Sequence, residues 1–203
     1  MITVGTTVAS IDDIKRLREE TGAGIMEAKR ALNEANGDFG KAKKLLEQWG
    51  AASAAKRAGR AASQGVVEPY IHGGGQIGAL VELDCETDFV ARTEDFKSLA
   101  HEIAMHVAAM NPRHLAADDV PEEDANEVRR RLRDEAIANG KTPEIAERVA
   151  DGGFRKYLEQ NVLLEQPYVR DDSKKIKQLV QEVAAKTGEN VVVKRFTRYQ
   201  IGL

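Results

Sequence analysis

The stretch VVEPYIHGGGQIGALVELDCETDFV, Val66 to Val90, decides how the chain folds. Val66 to Ile71 and Ile77 to Leu83 have strand length, and His72-Gly73-Gly74-Gly75-Gln76 between them is a glycine-rich loop of hairpin size. The spacing predicts an antiparallel pair. Beyond it, Asp95 to Met110 repeats as a helix, with Phe96, Leu99, Ile103, Met105, His106 and Val107 on its inward side and Asn111-Pro112 at its end. Between strand and helix lies the short acidic turn Cys85-Glu86-Thr87-Asp88-Phe89-Val90. Phe89 either begins the packing of the following helix under the sheet, or projects as an aromatic anchor for a partner's apolar pocket with Asp88 fixing its direction. Composition does not choose between the two.

Working outward to the N-terminus, Ser10 is placed to cap a helix whose apolar stripe is Ile11, Ile14 and Leu17. Thr21-Gly22-Ala23-Gly24 interrupts it. Ile25, Ala28, Ala31, Leu32 and Ala35 form the next helical face, closed by Asn36-Gly37, and Asp38 caps a third helix carrying Phe39, Ala42, Leu45, Leu46 and Trp49 and stopping at Gly50. Three short helices in residues 1–50 bury little, so a large apolar side chain left outside them calls for a reason. Ala51 to Gly65, rich in Ala and basic residues without large apolar ones, reads as a partly helical linker.

Toward the C-terminus, Pro121 to Asn139 and Thr142 to Ala150 are predicted helices, Gly152-Gly153 breaks the pattern, and Phe154 to Gln160 resumes it. Leu163 to Val169 is apolar but contains Pro167, which argues against a central strand. Ser173 is expected to cap a last helix with Ile176, Leu179, Val180 and Val183 inward, before Gly188-Glu189-Asn190 turns into a strand over Val191 to Ile201. Strands in two separated places with helices between them predict an α+β fold, a small antiparallel sheet covered by helices over residues 66–203.

The 203 residues carry 30 basic and 33 acidic side chains, a net charge of -3, mixed along the chain. That balance disfavours nucleic acid as the main partner. No apolar run approaches the roughly 18 to 20 residues that span a bilayer, and MITVGTTVAS has neither a basic n-region nor a long apolar h-region, so a cytoplasmic protein is expected. Cys85 is the single cysteine, which excludes a disulfide within the chain and multi-cysteine metal sites and suits a reducing compartment.

Little in the sequence supports chemistry at a bond. Gly73 to Gly78 satisfies GxGxxG, but a strand follows it, so the array of helix N–H donors that would hold a pyrophosphate is missing. Cys85 at the end of an apolar strand reads as a small buried side chain rather than a nucleophile served by His72, His101, His106 or His114. His101 and His106 are five residues apart, off the i, i+4 spacing of helical zinc ligands, and no metal or cofactor is expected.

Several stretches, in order, carry a resemblance. IKRLREETGAGIMEAKRALNEANGD at Ile14 to Asp38, YIHGGGQIGALVELD, CETDFVART at Cys85 to Thr93, LAHEIAMHVAAMNP, LLEQPYV and GENVVVKRF together resemble the bacterial translation elongation factor Ts family, the nucleotide exchange factors of the GTPase elongation factor Tu. The resemblance implies a ubiquitin-associated-type three-helix domain at the N-terminus and no enzyme activity of the chain's own. It implies contact with elongation factor Tu through Thr87, Asp88, Phe89 and Val90, the phenylalanine entering between helices of the GTPase near its magnesium site, and through Arg18, Ile25, Met26 and His72. Long family members carry two copies of the core; one copy here implies a homodimer that completes the sheet. The remaining alternative is a non-catalytic binding module working through the three helices alone.

Overall fold

The computed structural model describes residues 9–202; the N-terminal residues read above for a leader, 1–8, lie outside them. The chain divides into two compact units. One gathers the chain up to Val66 with Asp84–Lys97 and Val180–Val192, and the other holds Val67–Leu83, Ser98–Leu179 and the chain from Val193 onward.

The first unit begins with three helices, α1 (Ile11–Thr21), α2 (Ile25–Glu34) and α3 (Phe39–Arg57). Local chemistry sets their ends. Ser10 Oγ accepts the Asp13 N–H at 3.0 Å, Gly22 closes α1 in the left-handed region by donating its N–H to the Arg18 carbonyl, and Asp38 accepts the Lys41 N–H at 3.0 Å. Ile14, Leu17, Ala28, Ala31, Leu32, Ala35 and Ala42 form the core, with Phe39, Leu45, Leu46 and Trp49 packed against it. Four of those seven are alanines, so the helices meet closely and bury little per contact. Ile11, expected in the buried stripe, is 71% exposed, because at the first position of α1 it precedes the turn that touches the core. Nor does α3 stop at Gly50. The alanines that follow have the highest helix propensity and carry it on to Arg57, more than offsetting one glycine.

In the second unit, β1 (Gln64–His72), β2 (Ile77–Cys85) and β5 (Val192–Gln200) form an antiparallel sheet in the order β1-β2-β5. Gly73, Gly74 and Gly75 all have positive φ, which explains three consecutive glycines in the hairpin. Ala79, Val81 and Leu83 alternate inward on β2. The following helix, α5 (Glu94–Met110), lies against the sheet: His101 Nδ1 is 3.0 Å from Glu68 on β1, and Arg198 Nε on β5 donates to the Ala108 carbonyl at 2.9 Å. The α+β reading holds. A one-turn helix, α4 (Asp88–Ala91), precedes α5.

Helices α6 (Glu122–Ala138) and α7 (Pro143–Asn161) form a hairpin joined at Gly140, with Val120, Ala125, Phe154 and Val162 in its core. The break expected at Gly152-Gly153 is absent, since packing overrides propensity there. A Cβ at Gly153 would lie 2.7 Å from Leu132 Cδ1, so this glycine lets the two helices approach. Gly152 faces no atom within 4 Å. Pro167 opens a two-stranded ribbon, β3 (Pro167–Tyr168) with β4 (Asp171–Lys175), and Ser173 lies inside β4 with its hydroxyl on Asp171 instead of capping a helix. The last helix, α8 (Ile176–Thr187), is entered through the Lys175 N–H, which donates to Gln178 Oε1 at 2.7 Å.

His106 is fully buried on α5. Its Nδ1 accepts the Val169 N–H at 3.2 Å, so its Nε2 carries the proton donated to Gln166 Oε1 at 2.9 Å. Burial pushes its pKa down despite the Gln166 bond. Among the described residues no helix is long and apolar enough to cross a membrane.

The two adjacent glycines of α7 should answer differently to substitution. Gly152→Ala gains helix propensity of about 1 kcal/mol, whereas Gly153→Ala has to displace Leu132 and offsets that gain with an overpacking cost of about 1–3 kcal/mol. Urea unfolding of the two variants should place Gly152→Ala above Gly153→Ala by at least about 1 kcal/mol; equal midpoints would contradict the close approach at residue 153.

Candidate functional site

The turn from Cys85 to Thr93 is organised by two threonines. Thr87 sits in extended backbone at the N-cap of α4, its hydroxyl accepting the Val90 N–H at 3.4 Å. Thr93 donates its hydroxyl to the Val90 carbonyl at 2.8 Å and accepts the Phe96 N–H at the start of α5. Four residues are too few to sustain a helix by themselves. The pair of caps holds α4 from both ends.

Within α4 the inward place belongs to Ala91, which is buried, while Asp88 and Val90 are half-buried. Phe89 points away and is 79% exposed. Packing under the sheet is therefore not how this chain uses the ring. Leaving a phenylalanine in water forgoes roughly 1.5–3 kcal/mol of burial. Asp88 pairs with Arg92 one turn on at 2.6 Å, an exposed i, i+4 pair of small energetic value that orients the carboxylate.

A second layer comes from the far end of the sequence. Glu189, at the junction of α8 and β5, accepts three hydrogens: Oε2 takes the N–H of Glu86 at 3.0 Å and of Thr87 at 3.1 Å, and Oε1 takes the Thr87 hydroxyl at 2.6 Å. Its neighbour returns the contact, the Asn190 N–H donating to Glu86 Oε1 at 2.7 Å, while Arg60 reaches the same oxygen at 3.3 Å and offers its carbonyl to Asn190 Nδ2. In the sequence Gly188-Glu189-Asn190 reads only as a turn. The one available signal was an acidic residue where a lysine or histidine would better suit a helix C-terminus.

Beneath the turn, Cys85 is buried and its thiol donates to the Thr87 carbonyl at 3.1 Å. Burial, and then the Glu189 carboxylate, push its pKa up to about 11, so it remains a protonated thiol at neutral pH. Among the described residues no group of three or more His, Cys, Asp or Glu could hold a metal ion.

The other expected contact residues lie elsewhere. Ile25 and Met26 open α2 and are 58% and 74% exposed; Arg18 is exposed near the end of α1. His72 belongs to the second unit, at the end of β1, exposed and stacked on Tyr70 at 6.1 Å between ring centres, and Tyr70 in turn meets His101 edge-on. Thr87 to Val90 thus form one patch, the first turn of α2 another, and His72 a position in the other unit. In that unit the sheet face away from α5 carries exposed Val67, Ile71, Leu80, Tyr199 and Ile201, several of them around a shallow groove floored by Gly78 and Ala79.

A family model described as Elongation factor TS matches residues 41–203. Elongation factor Ts of Coprothermobacter proteolyticus is 53% identical over 189 residues, covering 93% of this chain and 96% of that protein. The same factor of Moorella thermoacetica is 50% identical over 190 residues, with 94% of each chain covered, and that of Caldanaerobacter subterraneus subsp. tengcongensis is 49% identical over 193 residues, 95% of this chain and 96% of that one.

Because the Cys85 thiol is both buried and protonated, a thiol-specific disulfide reagent at pH 7.5 should label it far more slowly in the native protein than in urea, by roughly 100-fold or more given a pKa raised to about 11. Rapid native labelling would refute the placement of the thiol beneath the turn.

Proposed function

The chain belongs to the elongation factor Ts family, and from that premise we propose that it is a guanine nucleotide exchange factor for elongation factor Tu, acting in the cytoplasm to promote GDP release during translation elongation. The observation that carries the reading is the Phe89 ring held 79% exposed on a braced one-turn helix. Phe89 enters the GTPase near its magnesium and nucleotide site, with Thr87, Asp88 and Val90 framing the entry. Arg18, Ile25 and Met26 form a second grip on the same partner. Residues 1–50 then serve as the gripping domain, 51–65 as the linker and 66–203 as the core.

No bond is made or broken by the factor. Filling a pocket that is closed when GDP and Mg²⁺ are tightly held moves the supports of those ligands. The coupling is reciprocal, so a factor that weakens GDP binding by some ratio is itself bound more weakly by the GDP-loaded partner by the same ratio. A tenfold change requires about 1.4 kcal/mol, and one well-packed aromatic anchor supplies about 2 kcal/mol or more. The energetics fit a single ring.

The single CETDFV copy, together with the apolar side chains on the open sheet face, supports a symmetric homodimer in which two sheets complete one another. His72 and Phe89 then reach one GTPase from different subunits.

Two outcomes test this. Phe89→Ala should leave the circular dichroism spectrum unchanged and slow release of a fluorescent GDP analogue from elongation factor Tu by at least about tenfold; an unaltered release rate at saturating factor would remove the ring from the mechanism. Sedimentation should give twice the chain mass for the wild type and a monomer for the double variant Ile71→Asp, Tyr199→Asp, whereas a monomeric wild type would dispose of the dimer.

A further inference from the structure

We propose that Glu189 is a positioning residue for exchange, a carboxylate that pre-orders the Phe89 turn before the partner arrives; the inference rests on the function proposed above. Cys85 is the last residue of β2, so the next two N–H groups, those of Glu86 and Thr87, leave the ladder. Both go to one carboxylate oxygen of Glu189, and the Thr87 hydroxyl goes to the other. Hydrogen bonds to an ionised carboxylate are stronger than neutral ones, and three of them converge here from two consecutive residues, the hydroxyl bond being short at 2.6 Å.

The hydroxyl has a second task. With its proton on Glu189 Oε1, its lone pairs are left to face the Val90 N–H, the bond that caps α4. Glu189 thereby sets the rotor of the capping residue as well as the backbone entering the cap. Phe89 stands two residues beyond Thr87 on a helix too short to order itself. Removing the carboxylate frees the turn while leaving the ring present, so the partner has to order it on binding. The Asn190 N–H and Arg60 hold the Glu86 side-chain carboxylate, not the Glu86 and Thr87 N–H groups, and so do not replace the lost acceptor.

A positioning role predicts a split that a general loss of stability does not. With the full chain and elongation factor Tu loaded with a fluorescent GDP analogue, Glu189→Ala should raise the factor concentration giving half-maximal release by roughly tenfold, while the maximal rate recovers at high factor. In a Phe89→Ala background the same change should add less than about twofold, because there is no ring left to position. Glu189→Gln keeps an acceptor for the two N–H groups but puts a donor toward the Thr87 hydroxyl. It should fall between the two, and it tests the proposal if the alanine variant fails to fold. Equal losses from Glu189→Ala with and without Phe89, or full activity of both Glu189 variants while Phe89→Ala is slow, would overturn the positioning role alone. An unaffected Phe89→Ala would overturn the exchange reading and this inference with it.

Discussion

One carboxylate accepting three hydrogens from two consecutive residues is the constraint on which the exposed turn depends. The turn is where a strand has run out of ladder partners and a helix has not yet begun, so its backbone polar groups have to be satisfied by something outside either element. Glu189 meets that need from 102 residues away along the chain. The arrangement explains why so short a segment as Asp88–Ala91 has a defined conformation at all. Ala91 and Cys85 below it are buried, and the ring above it is in water.

The three-helix bundle makes the same contrast in another way. Its larger aromatics lie at the rim of a core of small residues, yet they are roofed over: the Arg16 guanidinium lies 4.3 Å from the Phe39 ring centre, and Arg30 covers Trp49 at the same distance. Ile25 and Met26 have no comparable exposure-saving place; they stand at the first turn of α2, well out in solvent. In a unit with so little apolar surface to bury, the aromatics are covered while these two aliphatic side chains stay in water.

How much was legible follows from the range of the forces involved. Alternation and glycine chemistry are local, so the hairpin around Gly73 to Gly75, the helix ending at Asn111-Pro112 and the caps at Ser10 and Asp38 could be read directly. The misreadings came where packing, a competing partner or a neighbouring run of stronger propensity outweighed a local signal. Gly50 and Gly152-Gly153 look like stops but lie inside α3 and α7, and Ser173 looks like a cap but spends its hydroxyl on Asp171. Phe89 could be singled out but not oriented, since its direction depends on Ala91 taking the inward place. Glu189 carried almost no signal, because its partners are determined by tertiary structure alone.

The buried imidazole of His106 makes the second unit's tolerance of acid one-sided. Its ordinary pKa near 6.5 is depressed in the folded state, since charging it would cost burial and forfeit the Val169 N–H that its bare nitrogen accepts. The stabilisation from keeping it neutral is complete above the unfolded value of about 6.5 and drains away as pH falls through the folded one. The strand pair around Pro167 is tied to α5 through that nitrogen, so mild acidification weakens this tie, whereas alkali acts on the same pair only through Tyr168, whose hydroxyl donates to Glu102 and whose pKa is pushed up to about 12.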